Sequence, residues 1–530
     1  MIQFAELLTR LILTPSRNGK IRLLSNFFRD VPDPDRGWAV AAITRDLEIK
    51  TIKNAAIRAL VVSRVDDVLF DLSRDYVGDT AEAASLIWPA KPGSNRIPTL
   101  SEVVTELNAS PRSEAPRLVE TWFDALDADG RWALIKLITG GLRIGVAARL
   151  VKLALASFGD KEPQEIEELW HSLTPPYEDL FAWLEGRAVK PLNTMKAPFR
   201  PVMLSHPIEE RDKERIDLTA MTAEWKWDGI RVQIVREDGE ARLYTRTGDD
   251  ISATFPDVIE GFPVDAAIDG ELLVFDPAVC DRFDVRPFND LQQRLNRKTV
   301  TNKMLSASPA FIRAYDILWA EGKDLRAKPL KDRRVVLEEL VGGGLPRVDI
   351  SEQIDAVNWE ALEALRSSPP IDAIEGVMLK ARNSAYVPGR PKGPWWKWKK
   401  DPRLVDAVLM YAQRGRGKRA GFYSDYTFGC WREGALVPVG KAYHGFTDAE
   451  LKKIDKFVRD HTVDRYGPVR AVRAEQDFGL VFEVAFEGLQ RSPRHKSGVA
   501  MRFPRINRLR WDKPAGEADQ LSALEAMLPD

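Results

Sequence analysis

The sequence is poor in cysteine. Only Cys280 and Cys430 occur in 530 residues, and they lie far apart. Two cysteines cannot build a disulfide framework, and they cannot supply the four thiolates of an all-cysteine zinc site. This scarcity favours a reducing, intracellular setting, and we expect a cytoplasmic protein.

Long apolar runs, internal repeats and low-complexity tracts are also lacking. Without a stretch of about 18 apolar residues the sequence predicts no membrane-spanning helix. Glu6 and Arg10 interrupt the short apolar stretch at the N-terminus, and no small-residue cleavage site follows, so a secretory signal is not expected. With 44% hydrophobic and 30% charged residues, the composition is that of a globular protein, and the length allows about three domains.

The chain has no excess of charge of either sign, since its net charge is −1. The charges are nevertheless unevenly distributed. Residues 382–432 contain twelve Lys and Arg against three Asp, and residues 489–513 contain eight against one. Basic stretches interleaved with aromatic residues are typical of surfaces that bind a phosphate backbone. A solvated charged face would have the same composition, so composition alone leaves both interpretations open.

The hydrophobic pattern divides the chain into three parts. Helical spacing, as in Leu118, Trp122 and Leu126, prevails over residues 1–198 and predicts an all-α domain. Residues 199–400 offer short alternating runs and a helix over 330–341, which predict an α+β domain with antiparallel sheets. Residues 401–530 carry short strands with glycine-rich turns and a helix over 448–459, which favour a small β-barrel.

The most informative segment is Glu224-Trp225-Lys226-Trp227-Asp228-Gly229-Ile230-Arg231. A lysine between two large rings at a strand end is expected to be partly desolvated. Burial lowers the pKa of a lysine and makes its amine a usable nucleophile. Gly229 would let the backbone turn tightly around a ligand, and Arg231 could hold an anion or a hydroxyl. Taken alone, the pattern fits a surface lysine beside a strand equally well.

Further segments follow this one in a fixed order over some 290 residues. They are Tyr244–Asp249, Asp269–Glu271, Tyr315-Asp316, Glu375–Lys380, Trp395–Asp401, Arg502–Arg505 and Arg510–Lys513. Together with the lysine segment, they resemble the ordered motifs of the covalent nucleotidyltransferases, and specifically of the ATP-dependent DNA ligases. Each short segment has a purely structural interpretation, but their joint occurrence in this order favours the family.

The resemblance implies ATP and Mg²⁺ (or Mn²⁺) as cofactors and gives each matching residue a role. Lys226 is the implied catalytic nucleophile, and Glu271 and Glu375 are the implied metal ligands, since Mg²⁺ prefers carboxylate oxygens. The implied ATP-binding residues are Glu224, Arg231, Arg246, Glu271, Tyr315, Arg390, Lys397, Lys399, Arg505 and Lys513.

Within this set the family assigns Glu224 and Tyr315 to the adenine, and Arg231 and Arg246 to ribose or phosphate. Glu271 is implied to bind the ribose as well as the metal. Lys397 and Lys399 are two positions apart on a predicted strand, so they should share one face and clamp phosphate. The spacing before them leaves Arg390 and Lys392 as alternatives for a third cation. The family assigns Arg505 and Lys513 to the β- and γ-phosphates.

The flanking regions also resemble this family. We expect a helical DNA-binding domain over 1–198, an adenylation domain over 199–400 and an OB-fold over 401–530. Nicked duplex DNA is the implied partner of a monomeric enzyme, through the residues Arg143, Arg414, Arg416, Lys418 and Arg419. Leu24–Phe28 resembles part of a sliding-clamp binding box, but Ile21 stands where that box has Gln. We therefore interpret Phe27 and Phe28 as helix core and predict no clamp partner.

The implied activity is the sealing of nicks between 3′-hydroxyl and 5′-phosphate ends. It proceeds through a lysyl-AMP and a DNA-adenylate, in repair, replication or recombination, with a nucleoid association if the source is bacterial. An RNA ligase or a capping guanylyltransferase shares the lysine chemistry but lacks the helical domain. An NAD-dependent ligase needs a four-cysteine zinc module. A non-catalytic nick-binding protein would not need the lysine and carboxylates that this chain has.

Overall fold

The computed structural model describes residues 1–77, 79–89, 95–278, 284–295, 297, 300–355, 358–415 and 421–528. By its internal contacts the chain divides into two compact units. One unit comprises Met1–Asp160, Pro175–Val189 and Pro402–Asp530, and the other comprises Lys161–Thr174 and Lys190–Asp401. The predicted domain boundaries at residues 198 and 400 remain predictions. Within the described residues, no helix is long and apolar enough to cross a membrane.

The N-terminal part of the chain is helical, as predicted. Its helices are α1 Ile2–Leu13, α2 Arg17–Asp30, α3 Asp35–Thr44, α4 Asn54–Val62, α5 Asp67–Val77, α6 Thr80–Ile87, α7 Leu100–Ala109, α8 Ala115–Ala125, α9 Ala128–Thr139, α10 Ala148–Gly159, α11 Pro163–Leu169 and α12 Glu178–Leu184. Local chemistry sets their starts. Asp127 accepts a hydrogen bond from Gly130 N at 2.8 Å, which caps α9, and Thr99 forms a capping box with Glu102.

Aromatic packing confirms the interpretation of Phe27 and Phe28 as core. Phe28 is fully buried, and its ring lies 5.7 Å from Phe181 and 6.2 Å from Phe158 in edge-to-face contacts. Phe27 is 8% exposed. Both side chains are thus part of the core of the helical part.

The second unit is built on two sheets whose strands pair mostly antiparallel. Its strands are β1 His206–Pro207, β2 Met221–Trp227, β3 Ile230–Glu237, β4 Glu240–Thr245, β5 Ala266–Val274, β6 Ala310–Ala320, β7 Lys323–Asp324, β8 Val348–Ile350, β9 Gln353–Ile354, β10 Ile374–Ala381 and β11 Trp395–Lys399. Its further helices are α13 Glu210–Lys213, α14 Pro256–Glu260, α15 Phe288–Arg294, α16 Asn302–Ala307, α17 Leu330–Gly342 and α18 Trp359–Ser367.

One sheet has the strand order β1-β11-β10-β2-β9, and the other has the order β4-β3-β5-β6-β7, with β8 beside β6. Strand β5 runs unbroken through Asp269-Gly270-Glu271, although Asp and Gly are residues that disfavour strands. The reason is pairing on both edges, since Gly270 lies opposite Val232 of β3 and Ala314 of β6.

The C-terminal part consists of short antiparallel strands with two helices. They are β12 Arg403–Arg414, β13 Tyr423–Arg432, β14 Ala435–Ala442, α19 Asp448–Asp460, β15 Thr462–Tyr466, β16 Val469–Val472, β17 Val481–Phe486, β18 Gly488–Arg491, β19 Val499–Arg502, β20 Arg505–Arg510 and α20 Leu521–Glu525. Strand β12 pairs with β13, β16 and β17, and a buried core that includes Tyr426, Phe428 and Phe482 fills the interior. The predicted fold class is therefore confirmed in all three parts.

Candidate active site

The predicted catalytic residues meet in a cleft between the two sheets of the second unit. The Nζ atom of Lys380, on β10, lies 4.3 Å from the ring centre of Tyr315 on β6. The Nη2 atom of Arg231, on β3, donates a hydrogen bond to Tyr386 Oη at 3.1 Å. Side chains from both sheets therefore line one space, because β2, β10 and β11 present one face and β3, β5 and β6 present another.

Lys226 is the sixth residue of β2, and its amine donates a hydrogen bond to Glu375 Oε1 on the neighbouring strand β10. The expectation that two tryptophans flank this amine is corrected by the strand itself. Successive side chains of a strand point to opposite faces. Trp225 and Trp227 consequently pack into apolar clusters on the far side of the sheet, where Trp227 is 8% exposed.

Cations and one carboxylate surround the amine on the sheet of β10 and β11. Glu375 also pairs with Lys399 Nζ at 2.8 Å. Burial raises the pKa of Glu375, but Lys226 and Lys399 outweigh burial and hold that pKa below its ordinary value. Burial lowers the pKa of Lys397, and the positive charges of Lys226, Arg390 and Lys399 lower it further. Arg390 thus acts on the cluster, which favours it over Lys392 as the third cation.

The second carboxylate, Glu271, enters the cleft from β5. It lies opposite Arg231 in the register of β3 and β5. Burial raises the pKa of Glu271 to about 8, although Lys226 and Arg231 act in the opposite direction. The negative charge of Glu375 raises it further. The free protein therefore keeps a proton on Glu271 at neutral pH, and a cation that binds there must displace this proton.

A buried ion pair lies at the adenine end of the predicted site. Glu224 Oε2 accepts a hydrogen bond from Lys380 Nζ at 2.7 Å, and both side chains are 3% exposed or less. The same Nζ lies over the rings of Tyr315 and Trp395, at 4.3 Å and 4.7 Å. The structure thus brings Glu224 and Tyr315 together through Lys380, which the sequence analysis did not assign to the site.

Arg231 is held by two residues, Asp269 and Tyr386, for which the sequence predicted no role at the site. Asp269, which is fully buried, accepts hydrogen bonds from Arg231 Nε at 3.0 Å and from Nη2 at 2.6 Å. Tyr386 Oη donates to the same carboxylate at 2.6 Å. Alternation along β5 could have found Asp269, since it shares a face with Glu271. No sequence signal could have found Tyr386, which lies in the connection between β10 and β11.

Two glycines of the motifs are required by backbone packing. Gly229 lies in the connection between β2 and β3, where a Cβ would lie 2.5 Å from Leu272 O on β5. Gly376 has a φ of +145°, and its Cβ would lie 2.2 Å from Trp398 O. These glycines let strands approach each other closely beside Lys226 and Glu375.

The other predicted residues are distributed over both units. Arg246 is exposed on the turn after β4, and Arg143 is exposed in a loop with a φ of +45°. Arg414 ends β12, with its guanidinium 5.8 Å from the ring centre of Tyr423. In the unit that also holds Arg143 and Arg414, Arg505 begins β20 and Lys513 pairs with Asp406 at 2.8 Å. The remaining predicted DNA contacts, Arg416, Lys418 and Arg419, lie outside the described residues.

Comparison with known proteins decides the family. Residues 1–156 match the family described as DNA ligase N terminus, residues 202–399 match the ATP dependent DNA ligase domain, and residues 419–513 match the ATP dependent DNA ligase C terminal region. A probable DNA ligase of Koribacter versatilis is 32% identical over 441 residues, which cover 77% of this chain and 74% of that protein. The chain belongs to the ATP-dependent DNA ligase family.

Other relatives support the same family over nearly the whole chain. DNA ligase 1 of Korarchaeum cryptofilum is 29% identical over 546 residues, which cover 98% of this chain and 96% of that protein. The solved structure titled Pmar-Lig_PreS3 has a TM-score of 0.59 at 16% identity and covers 96% of this chain and 99% of that one. The latter likeness concerns the fold alone. The ligase is thus an enzyme that uses ATP and acts on DNA.

Proposed function

We propose that Lys226 of the ligase attacks the α-phosphorus of ATP, forms a lysyl-AMP and releases pyrophosphate. The AMP then passes to the 5′-phosphate at a nick, where it becomes the leaving group when the 3′-hydroxyl attacks. One observation carries this proposal: the amine of Lys226 lies among two carboxylates and three cations in the cleft between the sheets. The attacking amine must first lose its proton, and Glu375 holds the amine in place through its hydrogen bond.

The cations explain why the cleft would bind a triphosphate. Lys397 lies among like charges, and its pKa is lowered by burial and by Lys226, Arg390 and Lys399. A negatively charged phosphate between these groups would relieve their repulsion and would be stabilised as charge develops during transfer. Arg505 and Lys513 are proposed to orient the β- and γ-phosphates. Arg231, held by Asp269, has no acceptor for Nη1 among the described residues, and this nitrogen is proposed to donate to the ribose or phosphate.

Adenine recognition is proposed for Glu224 and Tyr315. The carboxylate of Glu224 can accept a hydrogen bond from the amino group of adenine, whereas the carbonyl oxygen of guanine would be repelled. The ring of Tyr315 offers an aromatic surface for the base. ATP rather than GTP should therefore be the nucleotide that labels the protein.

Glu271 and Glu375 are proposed to hold Mg²⁺. Their oxygens are suitable ligands, and no group of three or more His, Cys, Asp or Glu that could hold a metal occurs in the part of the chain that the structure describes. Mg²⁺ is usually bound by one or two carboxylates and takes its other ligands from water and substrate phosphates. When bound, the ion supplies positive charge to the phosphate oxygens. Glu271 and Glu375 would orient it beside Lys226.

DNA binding is proposed for the exposed arginines Arg143 and Arg414, and for the basic residues Arg416, Lys418 and Arg419. Arg246 is proposed to contact the ribose or phosphate of ATP. Guanidinium groups bind phosphates without reading sequence, which suits an enzyme that seals nicks anywhere. We further propose that the ligase acts as a monomer in three domains, 1–198, 199–400 and 401–530. Nick sealing of this kind serves repair, replication and recombination alike.

Covalent labelling tests the first step. We expect α-labelled ATP and Mg²⁺ to label the protein through a bond that survives denaturation and that pyrophosphate reverses in the native enzyme. The Lys226→Ala variant should lose all labelling and keep its affinity for nicked DNA. Lys331→Ala, at an exposed lysine on α17, is the matched control and should label normally. Labelling of Lys226→Ala, or preferential labelling by GTP, would contradict the proposal.

Metal titration tests the carboxylates. The Glu375→Gln variant should need a higher Mg²⁺ concentration for half-maximal labelling than the parent enzyme. It removes a ligand charge and keeps the shape of the side chain. Circular dichroism should show that the variant is folded. An unchanged Mg²⁺ requirement in a folded variant would remove Glu375 from the proposed metal site.

A further inference from the structure

A hydrogen-bond network joins the two sheets behind the predicted ATP site. Asp269 is fully buried and accepts three hydrogen bonds, two from Arg231 and one from Tyr386 Oη. Arg231 Nη2 also donates to Tyr386 Oη at 3.1 Å. The tyrosine hydroxyl therefore contacts both members of the Arg231–Asp269 ion pair. A carboxylate in such a position needs its donors, because burial without them is costly.

Tyr386 itself is held firmly. Its side chain is 3% exposed, and its ring meets Trp395 edge to face at a centroid distance of 5.6 Å. The guanidinium of Arg333 lies 5.7 Å from the ring centre, and the backbone N–H of Tyr386 donates to Arg326 O at 2.8 Å. Three neighbours thus fix the ring and the backbone of Tyr386, so the hydroxyl has one well-defined place.

We propose that Tyr386 is a positioning residue for ATP binding, which orients the guanidinium of Arg231 through the shared Asp269 carboxylate. The inference rests on the proposed role of Arg231 as an ATP contact. Arg231 and Asp269 belong to the sheet of β3 and β5, whereas Tyr386 follows β10 of the other sheet. The hydroxyl is therefore a link that ties the arginine to the opposite side of the cleft.

The hydroxyl acts as a donor, and it keeps its proton throughout the assay range. Burial raises the pKa of Tyr386 well above its ordinary value of 10.0, and the negative charge of Asp269 raises it further. Its contribution should consequently be independent of pH between about 6 and 9, as expected of a neutral hydrogen-bond donor. A residue that transferred protons during the reaction would give a pH-dependent effect instead.

The test is self-adenylylation of the full-length enzyme as a function of ATP concentration. Tyr386→Phe removes one oxygen and keeps the ring. Loss of one hydrogen bond to a charged group should raise the KM for ATP about tenfold, which corresponds to ~1.4 kcal/mol. The rate at saturating ATP should change little, because Arg231 would bind the substrate and the transition state alike. A merely structural defect would lower the fraction of active enzyme and leave KM unchanged.

Tyr177→Phe is a matched control outside the site. Tyr177 is also 3% exposed, and its hydroxyl donates to the carboxylate of Asp46 at 2.7 Å. The variant therefore loses a hydrogen bond from a buried tyrosine hydroxyl to a carboxylate in the other unit. We expect both variants to lose some stability, but only Tyr386→Phe should change the KM for ATP.

Arg231→Lys separates failure of this inference from failure of the proposed function. If Arg231→Lys raises the KM for ATP and Tyr386→Phe adds nothing in that background, the two residues act in one unit and the inference holds. A normal KM in Tyr386→Phe, together with an impaired Arg231→Lys, would overturn the role of Tyr386 alone. A normal KM in Arg231→Lys would overturn the proposed role of Arg231 itself.

Discussion

Replacement of Glu271 by Gln should change how the stability of the ligase depends on pH. The pKa of Glu271 is raised from 4.5 to about 8, by burial first. Ionisation of this carboxyl therefore costs ~5 kcal/mol more in the folded protein than in the unfolded chain. Glutamine has nearly the same shape and cannot ionise, so the variant is free of this cost.

The sign follows from proton binding. Between pH 4.5 and pH 8 the folded protein keeps the proton that the unfolded chain has lost, so the stability of the parent falls as pH rises. The fall ends above the folded pKa, where both states are ionised. From pH 6 to pH 8 the free energy of unfolding of the parent should fall by ~2 kcal/mol relative to that of Glu271→Gln.

Urea unfolding followed by tryptophan fluorescence measures this difference at each pH. Subtraction of the variant from the parent cancels the titration of all other groups that the two share. Glu339→Gln, at an exposed residue on α17, shows what the loss of one surface charge does. If the difference between the parent and Glu271→Gln stays constant from pH 6 to pH 8, the reasoning about this carboxyl is refuted.

Two further predictions concern packing. Gly376→Ala should destabilise the protein by about 3 kcal/mol, because its Cβ would lie 2.2 Å from Trp398 O at a φ of +145°, and a normal urea midpoint would contradict this. Phe28→Ala should cost about 4 kcal/mol in the helical part of the chain, since the ring is fully buried against Phe158 and Phe181. Calorimetry should detect the latter as a lower Tm, with lysine adenylylation preserved below that temperature.

Much of the fold followed from the sequence. The predicted helices over 330–341 and 448–459 are α17, Leu330–Gly342, and α19, Asp448–Asp460. Such elements can be predicted because the residues of the buried face recur about every 3.6 positions in a helix and every two positions in a strand. The spacing of the hydrophobic residues therefore indicates which element forms. Strand β5 was harder to predict, because Asp269-Gly270 is typical of a turn. In the structure, the pairing of β5 with β3 and β6 outweighs this tendency.

The identity of the chemical groups was also set by the sequence. Lys226 can supply a nucleophile, Glu271 and Glu375 can supply hard metal ligands, and the order of their motifs along the chain indicated the family. The order of the motifs did not predict which side chains surround these groups. The sequence placed two tryptophans beside Lys226, whereas the pleat of β2 sends both rings to the opposite face and leaves the amine with Glu375.

Tertiary structure alone decided which residues hold these groups in place. Lys380 reaches Glu224 from 156 residues away, and Tyr386 reaches Asp269 from 117. Contacts over such separations depend on how two sheets face each other, and no local pattern in the chain records that. The raised pKa of Glu271 has the same origin, since it reflects burial between sheets and the charges of distant residues.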